Sequence, residues 1–175
     1  MRKIFYFKYF SMVFIGFVTL SLITPGALKA NANLNEITRL SDHNLYLRQG
    51  EELFFKARKM FYNAEATLDE VRTTLDHSKE LFSKAADGYD KYFYKAKVAF
   101  LFGEMAEVAG DKQKADEDLN ESNELISKAL DFNPKSSEAN RLLAETIMRL
   151  MSYKGTIYMM TKGPQALNLL KVITN

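Results

Sequence analysis

Beyond residue 32 the apolar residues recur three and four positions apart, and no alternating run of Val, Ile or Thr is long enough for a strand. Leu53, Ala57, Met60, Phe61 and Ala64 form one such stripe. Breakers between stripes are few and each has a reading. Thr67 with Glu70 makes a capping box, and so a helix start. Gly110-Asp111 pairs a stop with a start, and Gly163-Pro164 reads the same way, with proline in a first turn where its missing N–H is harmless. Asn133-Pro134 closes one helix and Ser136-Ser137 caps the next. Ser41 or Asp42 is read as a further cap. The pattern predicts an all-α chain of antiparallel helices joined by short turns.

A phrase also repeats. Glu80 to Asp87 (ELFSKAAD) matches Glu124 to Asp131 (ELISKALD) 44 positions on, and Asn168 to Ile173 echoes the apolar positions after another 44. Upstream, Glu52 to Ala57 (ELFFKA) gives the phrase again, 28 positions before Glu80, as coincidence or an atypical terminal unit. In stacked helix pairs the second helix approaches both its partner and the next unit, so large and small residues alternate along its buried stripe. Phe82 with Ala85, and Ile126 with Ala129, meet that requirement. The clearest units span about 80–134 and 124–175, the last of them incomplete or uncapped.

These residues resemble the tetratricopeptide repeat (TPR), best over Leu119 to Leu150, where Ile126, Ala129 and Pro134 stand at the family's large apolar, small and proline positions. Glu138 to Ala144 looks like the opening of the next first helix. The step here is 44 rather than about 34 residues, and Asp90 stands where the second copy has Pro134. Ten extra residues make nearly three helical turns, so longer hairpins are expected. The resemblance implies hairpins stacked as a right-handed superhelix whose first helices line a concave groove. It implies Glu138, Arg141, Glu145, Met148 and Arg149 on that groove and, 44 positions earlier, Tyr94, Lys97, Leu101, Glu104 and Met105. Lys97 and Arg141 become equivalent, and a basic residue there resembles the family's clamp for a partner's C-terminal carboxylate. The asparagine that accompanies the clamp is absent, with Leu101 and Glu145 in its place.

A second likeness involves Glu138-Ala139-Asn140-Arg141 with Arg149, Lys154-Gly155, Gly163-Pro164 and Leu169-Leu170-Lys171, which is similar to the exported T-component proteins of TRAP-type solute transporters. That similarity implies association with a solute-binding protein in the periplasm and assembly into oligomers.

The start of the chain reads as an address. Of 24 Lys+Arg and 22 Asp+Glu, the first 32 residues hold Arg2, Lys3, Lys8 and Lys29 and no acid. The remainder carries 20 basic and 22 acidic groups, a charge of −2, which excludes binding nucleic acid by bulk positive charge. Met12 to Ile23 is an uncharged apolar run too short to cross a hydrocarbon core comfortably. Pro25-Gly26 breaks it, and Ala30 and Ala32 supply the small residues a signal peptidase needs. Residues 1–32 are therefore expected to be a signal peptide cleaved after Ala32, leaving a periplasmic or secreted domain over 33–175 that meets a membrane only before cleavage. The alternative is an uncleaved anchor extended from Phe5. Absence of cysteine suits an oxidising compartment, because nothing can mispair.

Candidate chemistry is sparse. His43 and His77 lie 34 positions apart without ligand-like neighbours, and neither reads as catalytic or metal-binding. Ser41-Asp42-His43 cannot form a triad, since adjacent residues do not face one another. The acidic run Asp111, Asp116, Glu117, Asp118, Glu121 and Glu124 lacks a calcium loop's glycine and oxygen spacing and reads as a solvated helix face. No Gly-rich phosphate cradle occurs. Enzyme, metal and cofactor are accordingly not expected.

Tyr89, Tyr92, Phe93, Tyr94, Phe100 and Phe102 read mostly as packing, with at least one tyrosine hydroxyl reaching solvent or a groove. Pro164 to Asn175 is apolar around much of its circumference and no polar helix follows, which points to a longer natural chain or to contact with another subunit or partner. Met148, Met151, Met159 and Met160 supply either a pliable surface or core nearby. The sequence thus predicts a non-catalytic, exported module that binds a protein partner, with homo-oligomerisation through the C-terminal helix. The other reading is a transport accessory that handles a small apolar solute.

Overall fold

The computed structural model describes residues 25–174, with side chains described from 41 to 171. Every regular element among them is an α-helix: α1 (Pro25–Tyr62), α2 (Leu68–Lys84), α3 (Tyr89–Ala109), α4 (Lys112–Phe132) and α5 (Ser137–Thr174). The protein is all-α over that span. Contacts divide the chain after Asn35, and the helices pack within the unit that begins at Glu36. The apolar run Met12–Ile23 lies outside the described residues, as do the side chains of Ala30 and Ala32. Among the described residues no helix is long and apolar enough to cross a membrane.

Local chemistry sets most of the ends. Thr67 accepts from the Glu70 backbone N–H while the Glu70 carboxylate accepts from the Thr67 N–H, so two orphan donors of α2 are satisfied at once. Gly110 ends α3 at φ 77, a left-handed conformation that costs glycine nothing. Asp111 accepts from Lys114 N–H at 3.0 Å and opens α4. Ser136 accepts from Ala139 N–H at 3.2 Å and opens α5.

Two expected boundaries are wrong. Ser41 and Asp42 cap nothing: they lie inside α1, which runs unbroken past them. Gly163-Pro164 lies inside α5, and the break comes at Gly155 instead, with φ 76 and ψ −167, a region essentially confined to glycine. Past it the chain turns back. A Cβ on Gly163 would lie 3.6 Å from the end of Met151, whereas twelve residues of straight helix span roughly 18 Å. Pro164 is tolerated because the residue four back, Met160, is 74% exposed, so water can take the carbonyl that loses its donor. Helix α5 is therefore two limbs, 137–154 and 156–174. The stripe from Leu53 likewise ends at Phe61, since Ala64 lies beyond α1 with φ 52.

Helix α3 carries the packing. On one side Phe54, Ala57, Val71, Leu75 and Phe82 of α1 and α2 close on Val98, Leu101 and Met105. On the other, Leu125, Ile126, Ala129, Leu142, Leu143 and Ile147 of α4 and α5 close on Phe93, Ala96 and Ala99. Ala96, Ala99, Gly103 and Ala106 are all buried and let α4 come close: a Cβ on Gly103 would meet Leu119 at 2.9 Å.

The repeated phrases run over the closing turns of α2 and α4 in matching environments. Phe82 and Ile126 are fully buried, as are Ser78 and Ser122, whose hydroxyls donate to the carbonyls of Gly50 (2.7 Å) and Ala96 (3.1 Å). The upstream copy, Glu52 to Ala57, falls in α1, the first helix of its pair, so the step of 28 links two helices of one hairpin rather than two units.

Gly50 tests this packing. An alanine in a helix interior is ordinarily better than glycine by about 0.5–1 kcal/mol, but here its methyl would lie 2.7 Å from the Phe82 ring, and overpacking costs about 1–3 kcal/mol. Gly50→Ala is expected to lower the urea midpoint. Gly88→Ser, at an uncapped α3 N-cap with open space around it, is expected to raise the midpoint, through a stability gain of about a few tenths of a kcal/mol.

Candidate functional site

Helices α1 and α3 and the first limb of α5 leave a cleft of about 180 Å³ between them. Its walls are Phe54, Arg58 and Tyr62 of α1, Lys97, Phe100, Leu101 and Glu104 of α3, and Arg141, Leu142 and Glu145 of α5. A shallower depression adjoins it, sharing Tyr62, Phe100, Glu104 and Glu145 and adding Met148 and Arg149. Of the residues expected on the groove, Lys97, Leu101, Glu104, Arg141, Glu145, Met148 and Arg149 thus gather here.

Their roles differ. Lys97 Nζ sits 5.0–5.2 Å from the ring centres of Phe54, Phe55, Phe93 and Tyr94. No carboxylate among the described residues lies within salt-bridge distance of it. Burial by these rings pulls its ammonium below the usual lysine range. Arg58 and Arg141 lower it further, against longer-range attraction from Glu138 and Glu51. Leu101 is floor rather than contact surface, being 2% exposed, and Met105 belongs to the core on the α2 side.

Tyr94 and Glu138 are not in the cleft wall. The Tyr94 ring stacks on Phe82 at 5.2 Å and its hydroxyl donates to Glu51. Tyr89 pairs with Ser136 at 2.6 Å, and Tyr92, half-buried, stacks on Phe132.

Arg149 is a strut. Its guanidinium donates to Glu104 at 2.5 Å and to Glu107, joining α5 to α3. Tyr62 brings α1 into the network by donating to Glu104 at 2.5 Å, and Tyr153 donates to Glu107 at 2.7 Å. Glu104 is buried, so these donors are what permit its charge there.

The acidic run of α4 is only in part the solvated face expected of it: Asp111, Glu117 and Glu124 are exposed, whereas Asp116, Asp118 and Glu121 are engaged. Asp118 is buried and pairs with Lys114 at 2.5 Å, Asp116 meets Lys154 at 3.0 Å, and Glu121 meets Lys79 at 2.7 Å. Those lysines come from three helices, which no local pattern announces. His43 Nδ1 lies 2.9 Å from the carbonyl oxygen of Lys84 at the end of α2, and His77 is exposed. Among the described residues no group of three or more His, Asp or Glu is placed to hold a metal ion.

No protein-family model, curated protein or solved structure gives a significant match to this chain. Its own geometry is therefore the guide. Sequence reasoning missed Arg58, Tyr62 and Phe54. Subtracting 44 once more from Lys97 lands on Leu53, and the basic residue stands more than a turn further on, so no spacing marks it.

The tyrosine–carboxylate pairs predict an alkaline transition. Burial first, and then the hydrogen bond to Glu104, pushes Tyr62 from its ordinary 10 up to about 12; burial and Glu107 do the same for Tyr153. Tyr94 is raised too, by burial and Glu51. The folded state favours the neutral phenol, so this stability is fully present below about pH 10 and is lost as pH climbs toward 12. Urea unfolding followed across that range should show the fall together with late phenolate absorbance. Tyr62→Phe should make it shallower.

Proposed function

We propose that the chain is an exported, non-catalytic, TPR-like module that holds a segment of a protein partner in the groove between α1, α3 and the first limb of α5. The observation that carries this reading is Lys97: a half-buried cation, walled by four aromatic rings, at the mouth of a cleft and without a carboxylate of its own. A partner's polar group would complete it. Flanking aromatic and apolar walls suit the side chains beside that group. Stacking into a TPR-like superhelix is supported by the matched environments of Phe82 and Ile126, and of Ser78 and Ser122. Export rests on Met12–Ile23 and the small residues Ala30 and Ala32.

Lys97→Glu/Arg141→Glu tests the groove. Crosslinking and quantitative pull-down from the envelope fraction should lose the partner with this variant while circular dichroism keeps its helical signal. A variant that folds and retains the partner sinks the reading.

A second reading is favoured by one feature of the C-terminal limb. Ile157, Met160 and Leu167 are 79%, 74% and 61% exposed, whereas Ala166 is buried. An uncovered apolar stripe suits self-assembly, as a T-component-like transport accessory would need. Native mass spectrometry should then show an oligomer that Ile157→Ser/Met160→Ser reduces to monomer. A wild-type monomer removes this reading.

A further inference from the structure

The charges around the cleft do not balance. Arg58 from α1, Lys97 from α3 and Arg141 from α5 share one opening with two carboxylates, Glu104 and Glu145. Glu104 is already taken by Arg149 and Tyr62. Glu145 meets Arg141 only at 3.7 Å, with both side chains largely exposed. Arg58 lies over the Tyr62 ring at 5.1 Å and has no carboxylate within salt-bridge distance among the described residues. Arg149 divides one charge between Glu104 and Glu107, so with that strut counted the four cations Arg58, Lys97, Arg141 and Arg149 against the three carboxylates Glu104, Glu107 and Glu145 leave an excess of one positive charge, drawn on at longer range by Glu138 and Glu51.

That excess constrains what fits. One lysine and two arginines offer about thirteen N–H donors, whereas a lone carboxylate accepts about four hydrogen bonds. A lone carboxylate would match the charge yet leave most of these donors without an acceptor. A tetrahedral anion concentrates its charge and several acceptor oxygens at one point, and guanidinium forks match its edges. The rings around Lys97 keep water off one side of its ammonium, so an arriving anion meets less competition from solvent.

We propose that the Arg58–Lys97–Arg141 opening binds a phosphate-sized oxyanion: the phosphoryl group of a phosphorylated side chain, or free phosphate. The site uses side chains from three helices and no backbone cradle. In its partner-borne form it rests on the groove reading above; binding of the free anion does not.

Calorimetry on the full chain at constant ionic strength tests it with inorganic phosphate, acetate and a phosphoserine peptide beside its unphosphorylated form. Phosphate is expected to bind and acetate not, with Lys97→Gln and the more exposed Arg58→Gln each weakening phosphate about tenfold or more. A phosphopeptide about tenfold tighter than its unmodified form assigns the group to a partner. Equal binding of the two peptides, with phosphate still bound, assigns the site to the free anion. Phosphate that does not bind, that binds no better than acetate, or that binds Arg58→Gln and Lys97→Gln as well as wild type overturns the proposal. If phosphate fails while Lys97→Glu/Arg141→Glu still abolishes partner capture, the groove stands and only the anion assignment falls.

Discussion

Helix α3 is packed on two faces at once, and the architecture follows from how that is done. Toward α4 it presents Ala96, Ala99, Gly103 and Ala106, and Leu119 packs where a methyl on Gly103 would otherwise sit. Toward α1 and α2 it presents Val98, Leu101 and Met105. The gap left between α1 and the first limb of α5 is the cleft over Leu101.

Two kinds of charge line that gap. Arg149, Glu104, Glu107, Tyr62 and Tyr153 form a closed set in which each buried acceptor has a donor, and the set ties α1, α3 and α5 together. Losing Arg149 would strand Glu104 in a buried position, which is why such a network is structural rather than free to receive a ligand. Lys97 is the opposite case. Its immediate neighbours are rings rather than carboxylates, so burial weakens its hydration and only the longer-range attraction of Glu138 and Glu51 acts in its place. The same physics thus separates a cation held by two carboxylates from one held only among rings.

Particular residues show how far sequence reasoning reached. Thr67, Glu70, Gly110, Asp111 and Ser136 could be read because a cap is settled within four residues by the groups it satisfies. Gly163-Pro164 misled because the same dipeptide serves as a boundary or as a tolerated interior pair, depending on whether the displaced carbonyl meets water. Asp118 looked solvated since its burial depends on the helices around α4. Lys97 and Arg141 could be named from the resemblance, whereas Arg58 could not, because α1 keeps no spacing in common with α3.

By itself, then, the order of residues determined helix content, most caps, and the large and small positions at Phe82, Ala85, Ile126 and Ala129. Each depends on neighbours within one or two turns. Tertiary structure alone decided that the chain reverses at Gly155, that Arg149 is consumed by Glu104 and Glu107, and that Lys97 is left among rings with Arg58 and Arg141 nearby. Those outcomes depend on which side chains from distant helices arrive at one place, and short-range periodicity carries no record of that.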